Sequence, residues 1–550
     1  MRCSLSLLIC QLFGISVLAG TSLDSKVCFT DIASEARLLF KHFNGAQGQF
    51  YFPEIMGAGA AFFDYDGDGY QDVYVVNGSS LPRPDPAKDP SSRLFRNRHD
   101  GTFADVTAVT GLEVKGFFGT GVAVADYDND GDPDLYLTGY LRSALLQNNG
   151  DGTFTDVTAK AGVENPGHWA FSSGFFDFDR DGDLDLLVAN YVRFDTQRNT
   201  VCRQGGEQSY CHPSTFQSDF SVLYRNSGDG TFTDVSEDSG IGKVAAKALG
   251  VVFADYDGDG WDDVFVACDT TPDLLFKNNR DGTFAEMGLL AGVAYDHNGH
   301  ARAGMGADFG DYDNDGLLDL VITNFSMEGN ALFRNLGDGS FSEETYTTGI
   351  LENSFLNVGF GVGFLDFDND SDLDVFSVNG HVIHNIERYR DDTTFAQRML
   401  LYENTGGHYQ EISCRSGESF KRLDVGRGAA FADFDNDGDM DILVSNNGSR
   451  VRLLRNDGGN QGNWLSLKLV GQRSNRDGIG AQVRARVGDR LLHRQIRRAG
   501  SYLSSNDVRL HLGLGRAEKV DVLEITWPTG AVQRLDDLKS NQFLTIVEDP

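Results

Sequence analysis

Apolar residues in this chain come in short runs cut by Gly and Asp, with no long amphipathic helical stretches. A glycine-rich apolar run, as at Gly119-Thr-Gly-Val-Ala-Val-Ala125, leads into an aspartate-rich turn. A second apolar run follows, as at Leu184-Asp-Leu-Leu-Val-Ala189, and then a short segment ending in Asn, as at Leu223-Tyr-Arg-Asn226. A Gly-Asp-Gly-Thr turn at 228–231 and the run Phe232-Thr-Asp-Val235 complete the unit. Apolar runs of this length bounded by turn residues predict strands, and four strands per repeated unit predict propeller blades.

The aspartate-rich turn has the form D-x-D-x-D-G-x-x-D. It begins at Asp64, Asp126, Asp177, Asp255, Asp311, Asp366 and Asp433, at spacings of 62, 51, 78, 56, 55 and 67 residues. These periods are too long for the turns of a calcium-repeat β-solenoid. The seventh unit stops at Asp457-Gly458 without a fourth strand, while an orphan run of matching type, Phe29-Thr-Asp-Ile32, sits near the N-terminus. The expected fold is therefore all-β. A seven-bladed β-propeller spans 28–458, its last blade completed by the N-terminal strand, so no inter-blade edge is left open. A small β-domain follows over 463–550, with alternating apolar runs at Leu465–Leu469, Val483–Val487, Val520–Ile525 and Phe543–Val547.

The hydrophobic fraction is 40% and the aromatic fraction 11%, enough for a packed core rather than a disordered chain. Residues 1–19 read as a secretory signal, with Arg2, an apolar stretch from Leu5 to Leu18 and small residues around Ala19. No later run approaches the roughly 18 apolar residues of a membrane span. A secreted, extracellular or periplasmic destination follows. In such a compartment Cys202 and Cys211, nine apart in a polar loop, are expected to form a disulfide. Cys28, Cys268 and Cys414 then remain, with Cys268 expected as a buried thiol.

Lys and Arg number 47 against 81 Asp and Glu, a net charge of −34. That balance excludes nucleic acid and anionic membrane surfaces as partners. Much of the charge lies in the seven turns: Asp64, Asp66, Asp68 and Asp72; Asp126, Asp128, Asp130 and Asp134; Asp177, Asp179, Asp181 and Asp185; Asp255, Asp257, Asp259 and Asp263; Asp311, Asp313, Asp315 and Asp319; Asp366, Asp368, Asp370 and Asp374; Asp433, Asp435, Asp437 and Asp441. Carboxylates at alternate positions, with a fourth at position nine, make an oxygen cage suited to Ca²⁺. Left without a cation they repel one another. One copy would equally suit a solvated Asp-Gly turn. Seven complete copies point to calcium, up to one ion per blade. Ser371 replaces the turn glycine in the sixth loop, which is expected to be strained or weaker.

These loops, set after glycine-rich strands, resemble the FG-GAP (VCBS-type) repeats of integrin-α-type propellers. The tail resembles the ASPIC/UnbV domain at Asn463-Trp-Leu465, Ser474-Asn-Arg-Asp-Gly-Ile-Gly-Ala481, Leu510-His-Leu-Gly-Leu-Gly515 and Ile525-Thr-Trp-Pro-Thr-Gly530. Together they are similar to the cartilage acidic protein family, and Phe52-Pro-Glu-Ile-Met56 and the Cys202/Cys211 insertion resemble its bacterial members. The resemblance implies a secreted calcium-binding protein and supplies no set of catalytic residues.

Because each aspartate loop joins the first two strands of its blade, all seven are expected on one face of the ring. The long insertions, 78–92, 192–219, 290–303 and 380–396, then fall on the other. That face carries His168, Trp169, His297, His300, Arg302, His381 and His384, and it is the candidate ligand face. No G-x-S-x-G elbow, P-loop or H-E-x-x-H motif occurs. The tail carries 14 Lys and Arg against 10 Asp and Glu, with Arg484, Arg486, Arg490, Arg494, Arg497 and Arg498 forming a basic stripe. The stripe suits a solvated strand face, docking on the acidic propeller, or contact with an acidic glycan. The expected function is extracellular binding or adhesion to a glycan or protein, with calcium as a structural ion. The alternative is an extracellular lyase or hydrolase acting on carbohydrate-like substrates from the insertion face.

Overall fold

The computed structural model describes residues 27–550 apart from 83, 84 and 86, and the segment assigned to a signal at 1–19 lies outside the described residues. The architecture is all-β and propeller-like, built from antiparallel sheets that follow the repeat. In the second unit the strands Gly119–Ala125, Asp134–Gly139, Ala144–Asn148 and Phe154–Asp156 pair in chain order, with Asp126–Asp134 forming the turn between the first two. The same order recurs in the sheets that begin at Ala60, Ala170, Ala248, Ala307 and Gly359. The sheet of Gly426–Ala432, Asp441–Asn446 and Arg452–Asp457 takes its fourth strand from Cys28–Asp31, paired antiparallel with Phe29 opposite Asn456.

The first strands of successive sheets pack on one another, and Gly426–Ala432 touches both Gly359–Leu365 and Ala60–Phe63. Their glycines are explained by that convergence. A Cβ on Gly59 would stand 2.2 Å from the Leu503 carbonyl oxygen, and one on Gly306 would stand 2.2 Å from that of Phe360.

A second repeated contact joins the sheets. The Asn that ends each third strand donates its backbone amide to the ninth-position Asp of its loop: Asn148 N–H donates to Asp134 Oδ1 at 2.7 Å. Its side chain reaches into the preceding unit. Asn148 Nδ2 donates to Tyr65 O at 2.8 Å, Asn226 to Tyr127 O at 2.8 Å and Asn335 to Tyr256 O at 2.7 Å. Asn278, Asn404 and Asn456 repeat the bond, and Asn97 in the first unit donates to Phe434 O in the last at 2.9 Å. Each amide thus satisfies buried backbone while pinning one sheet to the next.

Short helices after the fourth strands, such as Thr107–Thr110 and Thr158–Ala161, did not show in the hydrophobic pattern. They start where Asp105 Oδ1 accepts both the amide and the hydroxyl of Thr107, at 3.1 and 2.7 Å, and they stop at left-handed glycines such as Gly111 (φ 81°).

The tail forms two sheets, one of Leu510–Gly515, Asn463–Val470 and Gln542–Val547, the other of Arg490–Gln495, Gln482–Val487, Lys519–Thr526 and Val532–Lys539. All four apolar runs read from the sequence lie in these strands. Leu465, Leu467, Val483, Ala485, Leu523, Ile525 and Trp527 are buried between them. From this body the hairpin Ala499–Gly500/Ser504–Ser505 extends to where the first strands converge. Ser505 pairs with Ala61, Val122 N–H donates to Leu503 O at 3.1 Å, Ser501 N–H donates to Ala307 O at 2.8 Å and Val362 N–H donates to Ser501 Oγ at 3.2 Å. At its tip Tyr502 and Leu503 are buried among Phe171, Leu249, Met305 and Phe360.

Candidate metal centres and a cavity on the opposite side

Backbone amides shape each aspartate loop. In the first, Asp64 Oδ1 and Oδ2 accept from the amides of Asp68 and Gly69 at 3.0 and 2.9 Å, and Asp68 Oδ1 accepts from Tyr70 N–H at 3.0 Å. Asp72 accepts from Tyr65 N–H at 3.1 Å and from Asn97 N–H at 2.7 Å. The reversal needs a left-handed residue, and Gly69 supplies it at φ 88°. In the sixth loop Ser371 adopts φ 87°, a strained conformation for a residue with a Cβ. The loop nonetheless keeps the shared geometry, with Ser371 N–H donating to Asp366 Oδ2 at 2.9 Å. The buried Ser371 hydroxyl donates to Gly513 O of the tail at 2.8 Å.

Carboxylate oxygens converge in these loops. In sets such as Asp64, Asp66 and Asp72, or Asp126, Asp128 and Asp134, one oxygen per residue lies within 4.8 Å of the others. Every loop also keeps a buried carboxylate oxygen with no hydrogen-bond partner among the described residues. It is Oδ1 of Asp66, Asp128, Asp179, Asp368 and Asp435, with Asp263 Oδ2 and Asp311 Oδ1 in the other two loops. Buried, unpartnered, oxygen-only donor sets fit a hard divalent cation such as Ca²⁺.

Burial also shifts the carboxyls. Loss of solvation, reinforced by neighbouring aspartates, pushes Asp126 and Asp177 up to about 8 and Asp255, Asp311 and Asp433 up to about 7. Asp319 rises to about 9, mainly through burial. Carboxyls raised in this way bind protons more readily, and protons and a bound cation compete for the same oxygens.

The residue before each strand-ending Asn faces the cage and varies. Arg96 Nε lies 2.7 Å from Asp66, Arg334 Nε lies 2.6 Å from Asp313, and Lys277 pairs with Asp257. The second loop instead has Gln147, which donates to Asp128 Oδ2 at 2.5 Å. The sixth has Glu403, whose charge helps burial and Asp370 to push Asp368 up to about 7. The second and sixth loops therefore have no cationic side chain at this position, although Arg490 and Arg494 of the tail act on the sixth.

The tail backs onto this side of the molecule. Arg490 donates to Asp370 O at 2.6 Å, Arg509 to Asp433 O at 2.7 Å, and His493 to Gly316 O at 2.9 Å. Gln495 Nε2 donates to Asp262 Oδ1 at 2.5 Å, and Arg476 N–H donates to Asn129 Oδ1 at 2.8 Å. Of the basic stripe, Arg494 is buried, Arg497 pairs with Asp308 at 3.0 Å and Arg498 pairs with Asp477 at 3.3 Å, while Arg484 and Arg486 stay exposed. The stripe is thus split between docking and solvent.

The candidate ligand-face residues do not assemble into one cluster. His168 Nδ1 donates to Asp219 Oδ2 at 2.8 Å. Trp169 is buried among Phe52, Tyr140, Phe171 and Tyr191. His297 packs on Tyr346, and His300 is 78% exposed at its side chain. Arg302 is buried against Glu343. Buried His381 is pushed down to about 4 by loss of solvation and the nearby Arg427 charge, while His384 sits beside Phe50 and Tyr210.

Among them lies a cavity of about 480 Å³ that none of the seven lines. It is bounded by the insertion containing Cys202 and Cys211, which are disulfide-bonded, and by segments around Phe52, Asp269, Glu328 and Val382. The repeat register explains part of the wall. Tyr191, Asp269 and Phe325 each stand six residues after a ninth-position Asp, at the far end of the second strand from the aspartate loop. The same register holds Gly78, Tyr140, Gly380 and Asn447 in the other units, so Asp269 is its one acid. Aligning the repeats beyond their loops would have exposed it. Cys268, just before it, is a buried free thiol.

The FG-GAP-like repeat model matches residues 64–137, 130–188, 215–266, 255–322 and 311–377, and the ASPIC and UnbV model matches 471–550. The chain belongs to the FG-GAP repeat family and carries an ASPIC/UnbV tail. It is similar to cartilage acidic protein 1 of Homo sapiens, 28% identical over 515 residues covering 87% of this chain and 70% of the relative. Against the Mus musculus protein the identity is 26% over 444 residues, covering 74% of this chain and 61% of that relative. The chain thus spans 61–70% of the length of these relatives. Among solved structures, a BP39L lectin from Burkholderia pseudomallei gives a TM-score of 0.42 at 10% identity, covering 72% of this chain and 95% of that one. An Agrocybe aegerita lectin that recognises non-reducing terminal N-acetylglucosamine gives 0.38 at 18% identity, covering 64% and 79%. Scores at this level bear on neither ligand nor activity.

Proposed function

We propose that this chain is a secreted, calcium-loaded binding protein. Residues 28–458 form a closed seven-bladed ring, with the Cys28–Asp31 strand completing the last blade, and residues 463–550 form a domain docked on the calcium side. The 28 loop aspartates hold up to seven Ca²⁺ ions, whose role is structural. The Cys202–Cys211 disulfide suits an oxidising compartment. Among the described residues no helix is long and apolar enough to cross a membrane.

The observation that carries this reading is the division between the two sides. The tail lies against the aspartate loops, while the insertion side bears a cavity of ligand size. Binding is therefore assigned to the insertion side and stability to the calcium side. An array of sulfated and neutral extracellular glycans, probed with the full chain, tests this. Retention in calcium that is abolished by chelator is expected, and identical retention with and without calcium would count against it.

A further inference from the structure

The cavity on the insertion side is mostly apolar, with Phe52, Met56, Tyr191, Tyr210, Phe325 and Phe360 in its wall. Its carboxylates are Asp269 and Glu328; Arg203 also lines it, with its guanidinium donating to Gly206 O at 2.9 Å. Asp269 is only 7% exposed. One of its oxygens accepts the Tyr191 hydroxyl, and the other, Oδ1, has no hydrogen-bond partner among the described residues. Glu328 Oε2 accepts from the amides of Ala303 and Phe325 at 2.9 and 3.3 Å, and its Oε1 is likewise without a partner among them. Both acids meet the chain at Ala303: Asp269 forms an isolated backbone bridge with it, and Glu328 Oε2 accepts its amide.

The cations nearby are engaged elsewhere. Lys247 Nζ donates to Thr270 Oγ1 at 3.2 Å, and the Arg302 guanidinium pairs with Glu343. Neither forms an ion pair with Asp269 or Glu328. A carboxylate as buried as Asp269 is costly unless a positive charge meets it, and the charges of Lys247 on Asp269 and of Arg302 on Glu328 act from a distance, without contact at the free oxygens. Aromatic faces beside acids attract cations further through their quadrupoles.

We infer that this cavity binds an organic cation, an ammonium or guanidinium group on an apolar body, held between Asp269 and Glu328 with its apolar part against the aromatic wall. The inference rests on the assignment of binding to the insertion side. The shared chemistry has two sources, a free amine or a basic side chain of a protein partner.

Titration calorimetry of the calcium-loaded full chain tests it, with phenethylammonium, its neutral counterpart 2-phenylethanol, and a Lys-containing tripeptide as probes. Phenethylammonium is expected to bind at least about tenfold more tightly than the alcohol, since a buried charge pair carries on the order of that difference. Glu328→Gln and Asp269→Asn are each expected to weaken it about tenfold. Competition by the tripeptide assigns the natural source to a protein side chain, and its failure to compete assigns it to a free amine. Equal binding of ammonium and alcohol overturns the inference. So does absence of ammonium binding, or full affinity in Glu328→Gln, which keeps the test intact should Asp269→Asn fail to fold. A melting curve with and without calcium on the same sample separates the two claims. If calcium stabilises the chain while the ammonium does not bind, the cation site alone is lost.

Discussion

Chelating calcium is expected to lower the melting temperature of the full chain, far more at pH 8 than at pH 5. The magnitude follows from linkage. A ligand at one hundred times its Kd stabilises the folded state by about 2.7 kcal/mol per site. Two or three loops loaded to that degree match the entire net stability of an ordinary domain, roughly 5–15 kcal/mol. The pH dependence follows from the buried carboxyls. In the metal-free fold Asp126 and Asp177 titrate at about 8, and Asp255, Asp311 and Asp433 at about 7, raised chiefly by burial. Unfolded, they titrate near about 3.9. A raised carboxyl contributes stability that is fully present below about 3.9 and is lost as pH rises through its folded value. The chelated chain should therefore lose stability progressively from pH 4 to pH 8, over the same range in which calcium displaces those protons. Scanning calorimetry at pH 5, 6, 7 and 8 reads this directly. A calcium contribution that is flat with pH, or larger at pH 5, would refute the assignment of these aspartates.

The second large effect belongs to the hairpin at the centre. Tyr502→Ala should destabilise the chain by about 3–5 kcal/mol, the usual cost of removing a fully buried aromatic ring. The Tyr502 ring packs edge-on to Phe360 at 5.0 Å, and its hydroxyl donates to Met56 O at 2.9 Å. Loss of the ring leaves a cavity among Phe171, Leu249 and Met305 and orphans a buried carbonyl. Tyr502→Phe should cost only about 1 kcal/mol, the net worth of one hydrogen bond. Arg486→Ala, on the exposed strand face of the tail, should leave stability within about 0.5 kcal/mol. Urea denaturation of the three variants orders them. Should Tyr502→Ala unfold at the wild-type midpoint, the hairpin does not hold the tail and the sheets together.

Much of this was legible in the sequence because the repeat states it many times over. Each copy of the loop carries its four aspartates, its turn residue and a strand-ending Asn, and local residues alone dictate the turn. The pairing of Cys28–Asp31 with Arg452–Asp457 could be read from an incomplete last unit and an unmatched first strand. What stayed hidden depends on contacts between distant segments. The glycine-rich runs were visible, but the reason for them lies in the close approach of the first strands to one another and to the hairpin at 499–505, whose insertion no periodicity announces. The reach of Asn97 to Phe434 spans 337 residues of chain. The ligand-face histidines were chosen for their chemistry, and the structure scatters them between exposed loops and buried sites. Asp269 and Glu328 do not stand out among 81 acidic residues until the fold brings them to one cavity, although the repeat register beyond the loops already marks Asp269.

If the aspartate loops are calcium sites, native mass spectrometry of the full chain, purified in calcium and exchanged into volatile buffer, should show a series of bound ions rising to seven per chain, with one fewer in a variant carrying Asp433→Asn and Asp435→Asn. A chain that binds no calcium, or whose stoichiometry is unchanged by those substitutions, would contradict that assignment.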